Sequence, residues 1–557
     1  MRRLLYFFII AAAFLTGCVD ESDMLVEKPA DSNEVTFLNK IEGYAFTAGE
    51  EVEIVAPVTF EKEIGTEAEI NELFDIKWYV DGQHIADGYR IKYTFERSGG
   101  YSLVLKIVNR ITGETYLSDS HSVESRNAIG WGWMILSDRE DKSSLSFIRP
   151  LTYFTSYNLE ESIDGGLGTG PKRLFYYYVK GSIASSNISG LSKVIVNQSS
   201  GTVTLDGATL QKDKWMCDEF ESGAEPEADF TMTGFAWKET YYLISTKEGN
   251  LYMKYVDKDH SGIPFYGTYS SMPYTFSTDT EISMFQGFNN VIYWVANESL
   301  SIMYDRKGTR FIAMITGNGF VDNPTPYKPS LIELSHYDET KEFDPSVPLV
   351  NNIGTGTECL ALGAYEREAW IEYDDDGVTI SSQRTYPRYV SLIDLGGTGN
   401  YKIYKFGVSP IGAGNHNIVE TYMEDFNAPI NSESVVRFST DFSNNPYFYF
   451  TDGDKNLYVY GMEQKRYALL YEAKNKITNL SSSPLDCPFA DYGGNNVEAN
   501  WKLAVAQEGG TVAVLDVKEQ NILKFMEGTR PKVELKVLDG FGDIKDIVWA
   551  TNYVGEF

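Results

Sequence analysis

The sequence predicts an all-β protein in two parts: a sandwich of roughly 90 residues, then a β-propeller of about seven blades. Three observations predict it. Alternating strand patterns that end at Asp-Gly, Thr-Gly and Gly-Gly turns fill almost the whole chain. From Gly130 onward a similar hairpin returns about seven times, at spacings of roughly 50 to 80 residues. Hardly any amphipathic helix lies between the repeats. A chain of 557 residues is too long for one core, and its 43% hydrophobic and 14% aromatic content is enough for well-buried domains.

Residues 1–17 do not read as part of either domain. Arg2 and Arg3 precede the apolar stretch Leu4–Leu15, which is short of the roughly 20 residues of a membrane span and fits a signal peptide. The stretch closes in Leu15-Thr16-Gly17-Cys18, which resembles a bacterial lipobox. That resemblance implies cleavage before Cys18 and lipidation of its thiol and new amino terminus. Asp20, Glu21 and Asp23 follow at once. They resemble the acidic export tag of Bacteroidota lipoproteins, which implies display on the outer face of the outer membrane; an ordinary charged tether would carry similar residues. Residues 18–32 are the tether in either case.

The sandwich is expected over residues 33–125. Its strands are Glu51–Val55, Ile76–Val80 ending at the turn Asp81-Gly82, Arg90–Phe95, and Tyr101–Val108 ending at Thr112-Gly113. A tryptophan in a central strand (Trp78) and a tyrosine opening a later one (Tyr101) fit an immunoglobulin-like sandwich. Trp78-Tyr79-Val80-Asp81-Gly82 together with Gly99-Gly100-Tyr101-Ser102-Leu103 resembles PKD-type domains.

The propeller is expected over residues 126–557. Its hairpins join Trp133–Leu136 to Leu145–Ile148, Lys193–Val196 to Thr202–Leu205, and Tyr241–Thr246 to Leu251–Tyr255. Val291–Val295 leads to Leu300–Tyr304, Ala369–Tyr373 to Val378–Ile380, Tyr447–Thr451 to Leu457–Tyr460, and Trp501–Ala506 to Thr511–Leu515. Ile544–Ala550 would close the ring against the first strands. Spacing is looser than in WD40 repeats and the Trp-Asp ending is absent, so two or three stacked sandwiches remain the alternative.

The lipobox, the early sandwich and the entry Gly130-Trp131-Gly132-Trp133-Met134-Ile135-Leu136-Ser137 followed by Leu145-Ser146-Phe147-Ile148 resemble the PKD-like family lipoproteins of Bacteroidota. The resemblance implies a SusC/SusD-type outer-membrane importer as partner, with oligopeptide or oligosaccharide as cargo, and a non-catalytic accessory role. The other readings are a surface glycan- or peptide-cleaving enzyme with its site in the propeller channel, and an adhesive or structural surface module.

Charge and chemistry narrow the rest. Losing Arg2 and Arg3 with no acid takes the net charge from −31 to −33, which repels phosphate backbones and anionic lipid. Nucleic acid is therefore excluded as a partner, and membrane contact falls to the lipid at Cys18. Cys217, Cys359 and Cys487 lie far apart with no CxxC pair, and are expected to be small buried hydrophobes. The five histidines are scattered, with no HExxH or GxSxG, so no catalytic residue and no cofactor are assigned. Asp257, Asp259 and Ser261 open like a calcium loop, but Thr268 stands where the bidentate carboxylate belongs. Asp374-Asp375-Asp376-Gly377 and Asp452-Gly453-Asp454 read as turn chemistry, and the glycine-rich runs at 165–170, 354–356 and 396–399 as flexible connections. Asp218–Asp229, with six carboxylates, reads as a solvated loop. Tyr266, Tyr269, Tyr274 and Phe276 fall in a Gly/Ser/Pro-rich connection, where they would either grip a ligand or pack between blades.

Overall fold

The computed structural model describes residues 32–551 apart from 39–44, 48–50, 96–98, 127–130, 151–152, 180–190, 208–209, 226–229, 238, 256–267, 271, 274–279, 284–289, 294–297, 318–329, 367–371, 374–378, 382–385, 412–414, 440–445 and 484–500. The chain divides into two compact units, Met1–Ala128 and Ile129–Phe557, and both are mostly β-sheet.

In the first unit, Phe74–Val80 alternates buried and half-buried residues along its whole length, as a strand with one face on a core must. It pairs with Gly99–Asn109 on one side and Gln83–Asp87 on the other. His121–Arg126 extends the sheet beyond Gly99–Asn109, and Ala45–Thr47 lies parallel to it at the edge. Two short pairs, Glu51–Val55 with Arg90–Thr94 and Val35–Phe37 with Val58–Phe60, supply Ile54, Ile91, Val35 and Val58 to the core that holds Trp78, Leu105 and Ile107. Trp78 is fully buried, and its Nε1–H donates to the Gly88 carbonyl at 2.9 Å. Asp81 and Gly82 turn with φ of 48° and 79°, the left-handed pair that suits the twist of a two-residue hairpin. A helix not expected from the sequence, α1 (Glu67–Leu73), opens on a capping box between Thr66 and Glu69 and drops Ile70 into the core.

In the second unit the described residues form seven larger sheets in succession. The first contains Trp131–Arg139 and Lys142–Ile148. The others open on Pro171–Val179, Phe230–Trp237, Ile282–Ser283 with Asn290–Tyr293, His336–Tyr337 with Glu358–Glu366, Val436–Phe438 and Ile477–Ser482. Six of the expected hairpins lie in these sheets in the expected pairing, for example Trp133 opposite Ile148, Val194 opposite Leu205 and Val505 opposite Ala513.

The hairpin expected at Ala369–Tyr373 does not belong to the series. Glu372–Tyr373 and Thr379–Ser381 make a separate two-stranded ribbon. The fifth sheet is built instead from Glu358–Glu366, Arg388–Asp394, Tyr401–Ile411 and Asn415–Asp425. Its two long strands carry Lys402, Lys405, Glu420 and Glu424, and Pro410 interrupts one of them, so the alternation is masked by charge and by a residue that usually ends strands.

The last strand, Asp543–Thr551, pairs antiparallel with Trp131–Arg139, setting Trp549 opposite Trp133. Among the described residues, the last strand of the second unit therefore joins the sheet that holds its first strand. Shared cores pack the third sheet on the fourth, the fourth on the fifth, the fifth on the sixth, the sixth on the seventh and the seventh on the first. At the last of these, Ala504, Ala506, Val512 and Val514 face Trp133, Ile135 and Ile148. Small residues opposite large ones let the sheets interdigitate at core density. Trp133 Nε1–H crosses the interface to the Ser481 carbonyl at 3.1 Å. A second amphipathic element, α2 (Glu519–Met526), lays Ile522, Phe525 and Met526 on the core between the sixth and seventh sheets.

The glycine-rich runs, expected as flexible connections, are closely packed at some positions and open at others, such as Gly166 and Gly399. A Cβ on Gly397 would stand 2.8 Å from the Gly356 carbonyl oxygen, and one on Gly168 would stand 1.8 Å from Ser200 Oγ.

Cutting the chain before Asp543 removes an edge strand and uncovers the Trp133 side of the first sheet. Differential scanning calorimetry should show the second unit's transition falling by about 10 °C or more, or lost to aggregation. The transition of residues 1–128 should stay in place.

Candidate functional site

Edge strands of four sheets lie side by side: Val436–Phe438 beside Ile477–Ser482, that strand beside Asp543–Thr551, and Asp543–Thr551 beside Pro171–Val179. One polar network joins all four. Asp546 is completely buried. Its Oδ1 accepts from Asn479 Nδ2 at 2.7 Å and from the Ile547 N–H at 2.9 Å, and its Oδ2 accepts from the Leu174 N–H at 2.9 Å. Asn479 Oδ1 in turn accepts from the Arg437 guanidinium at 3.3 Å, and Arg437 Nε donates to the Leu480 carbonyl at 3.3 Å.

Local sequence explains how the carboxylate gets there. Leu136 pairs with Asp546 and Ser137 with Ile544, so Lys545 is the extra residue of a β-bulge. Bulges re-aim the side chains beside them. Burial pulls the Arg437 pKa below its usual value; the Asp546 carboxylate opposes that shift and the neighbouring Arg173 guanidinium adds to it. An arginine starts high enough to stay charged throughout.

Chemically the network ties strands together. The Asp546 oxygens accept from a carboxamide and two backbone N–H groups, and the side chain has no exposed surface through which to meet a substrate. Sequence reading missed it, although a signal exists: Asp546 is the single charged member of the alternating row Ile544, Asp546, Val548, Ala550.

A second buried pair lies between the second and third sheets. Glu219, 5% exposed, accepts at Oε1 from Lys254 and Lys214, each at 2.5 Å. Burial lowers the Lys254 pKa against the pull of Glu219. Tyr269 covers the pair, with the Lys254 ammonium 5.5 Å from its ring centre and Phe220 stacked on it at 4.8 Å.

Tyr269 is thereby corrected as a ligand-binding candidate. It is 1% exposed and committed to packing. Tyr266, Tyr274 and Phe276 lie outside the described residues, as do Cys18, Asp20, Glu21, Asp23, the calcium-loop candidates Asp257, Asp259 and Ser261, and Cys487.

The acidic stretch Asp218–Asp229 is corrected in part: Asp218 and Glu221 are exposed as a solvated loop requires, and residues 226–229 lie outside the described residues. Glu219 turns inward, and Glu225 reaches back to accept from the Thr202 N–H and hydroxyl at 3.0 Å, burial raising its pKa. Two lysines hold Glu219 and the Thr202 N–H and hydroxyl hold Glu225. Asp452 accepts from the Asp454 and Asn456 N–H groups and from Asn456 Nδ2, which is turn geometry as expected.

Cys217 and Cys359 are free thiols, each half-buried and not fully enclosed. Burial raises both thiol pKa values. His84, His121 and His336 sit on separate strands. Among the described residues no group of three or more His, Cys, Asp and Glu side chains gathers in a way that would hold a metal ion. No helix among them is long and apolar enough to cross a membrane.

No protein-family model matches the chain, and no curated protein does. Among solved structures it is similar to a quinonprotein alcohol dehydrogenase-like protein from Bacteroides thetaiotaomicron, at 12% identity and a TM-score of 0.32, covering 94% of this chain and 97% of that one. It is similar to the WD40 domain of SCAP from fission yeast at 9% identity and a TM-score of 0.29, covering 75% of this chain and 92% of that one. A putative phosphatase from Bacteroides thetaiotaomicron stands at 9% and 0.27, with 87% and 95% covered. At this distance the functional reading has to rest on this chain's own residues.

Asp546→Ala would leave three donors without an acceptor and Arg437 without its nearby opposite charge. Urea unfolding should register a loss of about 3–5 kcal/mol. Tyr269→Phe, which keeps the stacked ring, should change stability by less than about 1.5 kcal/mol.

Proposed function

We propose that this chain is a lipid-anchored outer-membrane protein facing the cell exterior, and a non-catalytic accessory subunit of a SusC/SusD-type importer. The observation that carries the reading is the run Leu15-Thr16-Gly17-Cys18 behind a basic and apolar leader, followed at once by Asp20, Glu21 and Asp23. Lipid at Cys18 is the attachment, since a charge of −31 offers an anionic membrane surface no electrostatic help.

In this reading Ile129–Phe557 is a seven-bladed propeller. Support comes from the run of seven sheets, their face-to-face cores and the last strand's place in the first sheet. The first unit is a PKD-like immunoglobulin-like sandwich, supported by Trp78 in its central strand and by two layers that share one core. Complete burial of Asp546 argues against a hydrolase that uses it as the reactive carboxylate where these edge strands converge. The importer, and oligopeptide or oligosaccharide cargo, follow from the resemblance of the leader and the entry segment.

Extraction in mild detergent followed by pull-down on a carboxyl-terminal tag should recover a large β-barrel together with a SusD-like lipoprotein. Recovery of the chain alone, where a known importer complex survives the same extraction, would overturn the importer assignment. Cys18→Ala should shift the protein from the membrane fraction to the soluble one, and protease shaving of intact cells should remove the wild-type protein.

A further inference from the structure

The seventh sheet ends on Glu534–Asp539, paired with Thr511–Asp516 on one side and, among the described residues, with no strand on the other. A strand with one face on a core alternates buried and exposed residues, and this one does not. A β-bulge sets Lys536 opposite Val514 and Glu534 opposite Leu515. Leu535 is therefore the extra residue, and Leu535, Lys536 and Val537 are exposed in succession. Leu535 and Val537 are 42% and 40% exposed. The edge thus offers unpaired backbone groups flanked by two aliphatic side chains, a template that another chain can extend.

Charge around this edge runs opposite to that of the whole molecule. Residues 518–536 hold Lys518, Lys524, Arg530, Lys532 and Lys536 against Glu519, Glu527 and Glu534, a net +2 in a chain of −31. Two of those carboxylates are held by neighbours within the fold. Glu519 accepts from the Tyr447 hydroxyl at 3.2 Å and Glu534 from the Tyr471 hydroxyl at 3.0 Å. The cations are not so held: Lys524, Arg530, Lys532 and Lys536 are all exposed, and among the described residues none of the four makes an ion pair. Lysine on an edge strand can serve simply as a guard against aggregation. A guard works best without aliphatic neighbours, and here exposed Leu535 and Val537 stand on either side of Lys536.

We infer that the outer edge of the seventh sheet is a docking site for a partner protein, which adds an extended acidic segment as a further strand beside Glu534–Asp539. Backbone hydrogen bonds along the edge supply affinity, and the side chains supply selection. Leu535 and Val537 take up apolar side chains of the segment, while Arg530, Lys532 and Lys536 favour carboxylates between them. A second copy of this chain paired through the same edge is disfavoured, because antiparallel pairing centred on Lys536 sets that lysine against its own copy. A sulfated or phosphorylated polymer would use the cations alone and leave Leu535 and Val537 in water. The inference rests neither on the importer nor on the lipid anchor, and the segment is part of a docked protein and not cargo.

The test uses the purified full-length protein in detergent and a panel of labelled twelve-residue synthetic peptides, read by fluorescence anisotropy. In these peptides aspartate or glutamate alternates with valine, isoleucine, threonine or tyrosine, and a matched set carries lysine in place of every acid. At least one acidic peptide should bind, and hydrogen exchange at the backbone amides of residues 534–538 should slow when it does. Lys536→Glu, at an exposed position, should weaken binding about tenfold or more with the thermal transition unchanged. The double variant L535S/V537S should weaken it as well. No binding by any acidic peptide would overturn the inference, and so would equal binding of the lysine set or binding left intact in K536E. Binding without added protection at residues 534–538, or binding of heparin in place of every peptide, would overturn it too. None of these outcomes bears on the pull-down, so the two proposals fail separately.

Discussion

The pairing of Asp543–Thr551 with Trp131–Arg139 is the constraint on which the second unit depends. An unpaired first strand would present a row of free N–H and C=O groups and an uncovered Trp133. The final strand satisfies that edge, and its register does more than close it. Trp549 meets Trp133 edge-on at 4.9 Å, and the bulge at Lys545 sends Asp546 to donors on Leu174 and Asn479. One strand, contributed last, thus connects the first sheet to both the second and the seventh.

Charge works differently inside this molecule from outside it. The surface is strongly acidic, yet lysine and arginine recur where sheets meet: Lys254 with Glu219, Lys405 and Lys465 with Glu424, Arg437 near Asp546. Each group joins residues from different sheets. An ion pair of this sort adds little net stability over an apolar contact, because desolvation offsets the attraction. Breaking one by packing the wrong sheets together would strand a buried charge at a cost of several kcal/mol. For seven sheets of similar shape and apolar texture, such pairs favour one order of packing over its alternatives.

The parts of this fold that were legible in the sequence are those governed by neighbours in the chain. Trp133–Leu136 and Leu145–Ile148 are strand-length, fully buried runs on either side of a short charged turn, and Asp81-Gly82 supplies the positive φ its hairpin needs. The place of the terminal strand beside the first was legible too, from its apolar run. What stayed hidden is non-local. Tyr401–Ile411 is a strand because Glu358–Glu366, Arg388–Asp394 and Asn415–Asp425 assemble around it, despite Pro410 and two lysines. Tyr269 looks like a loop aromatic until Lys254 of the preceding strand and Phe220 of the second sheet's trailing loop enclose it. The same holds for Asp546, whose partners come from strands hundreds of residues apart.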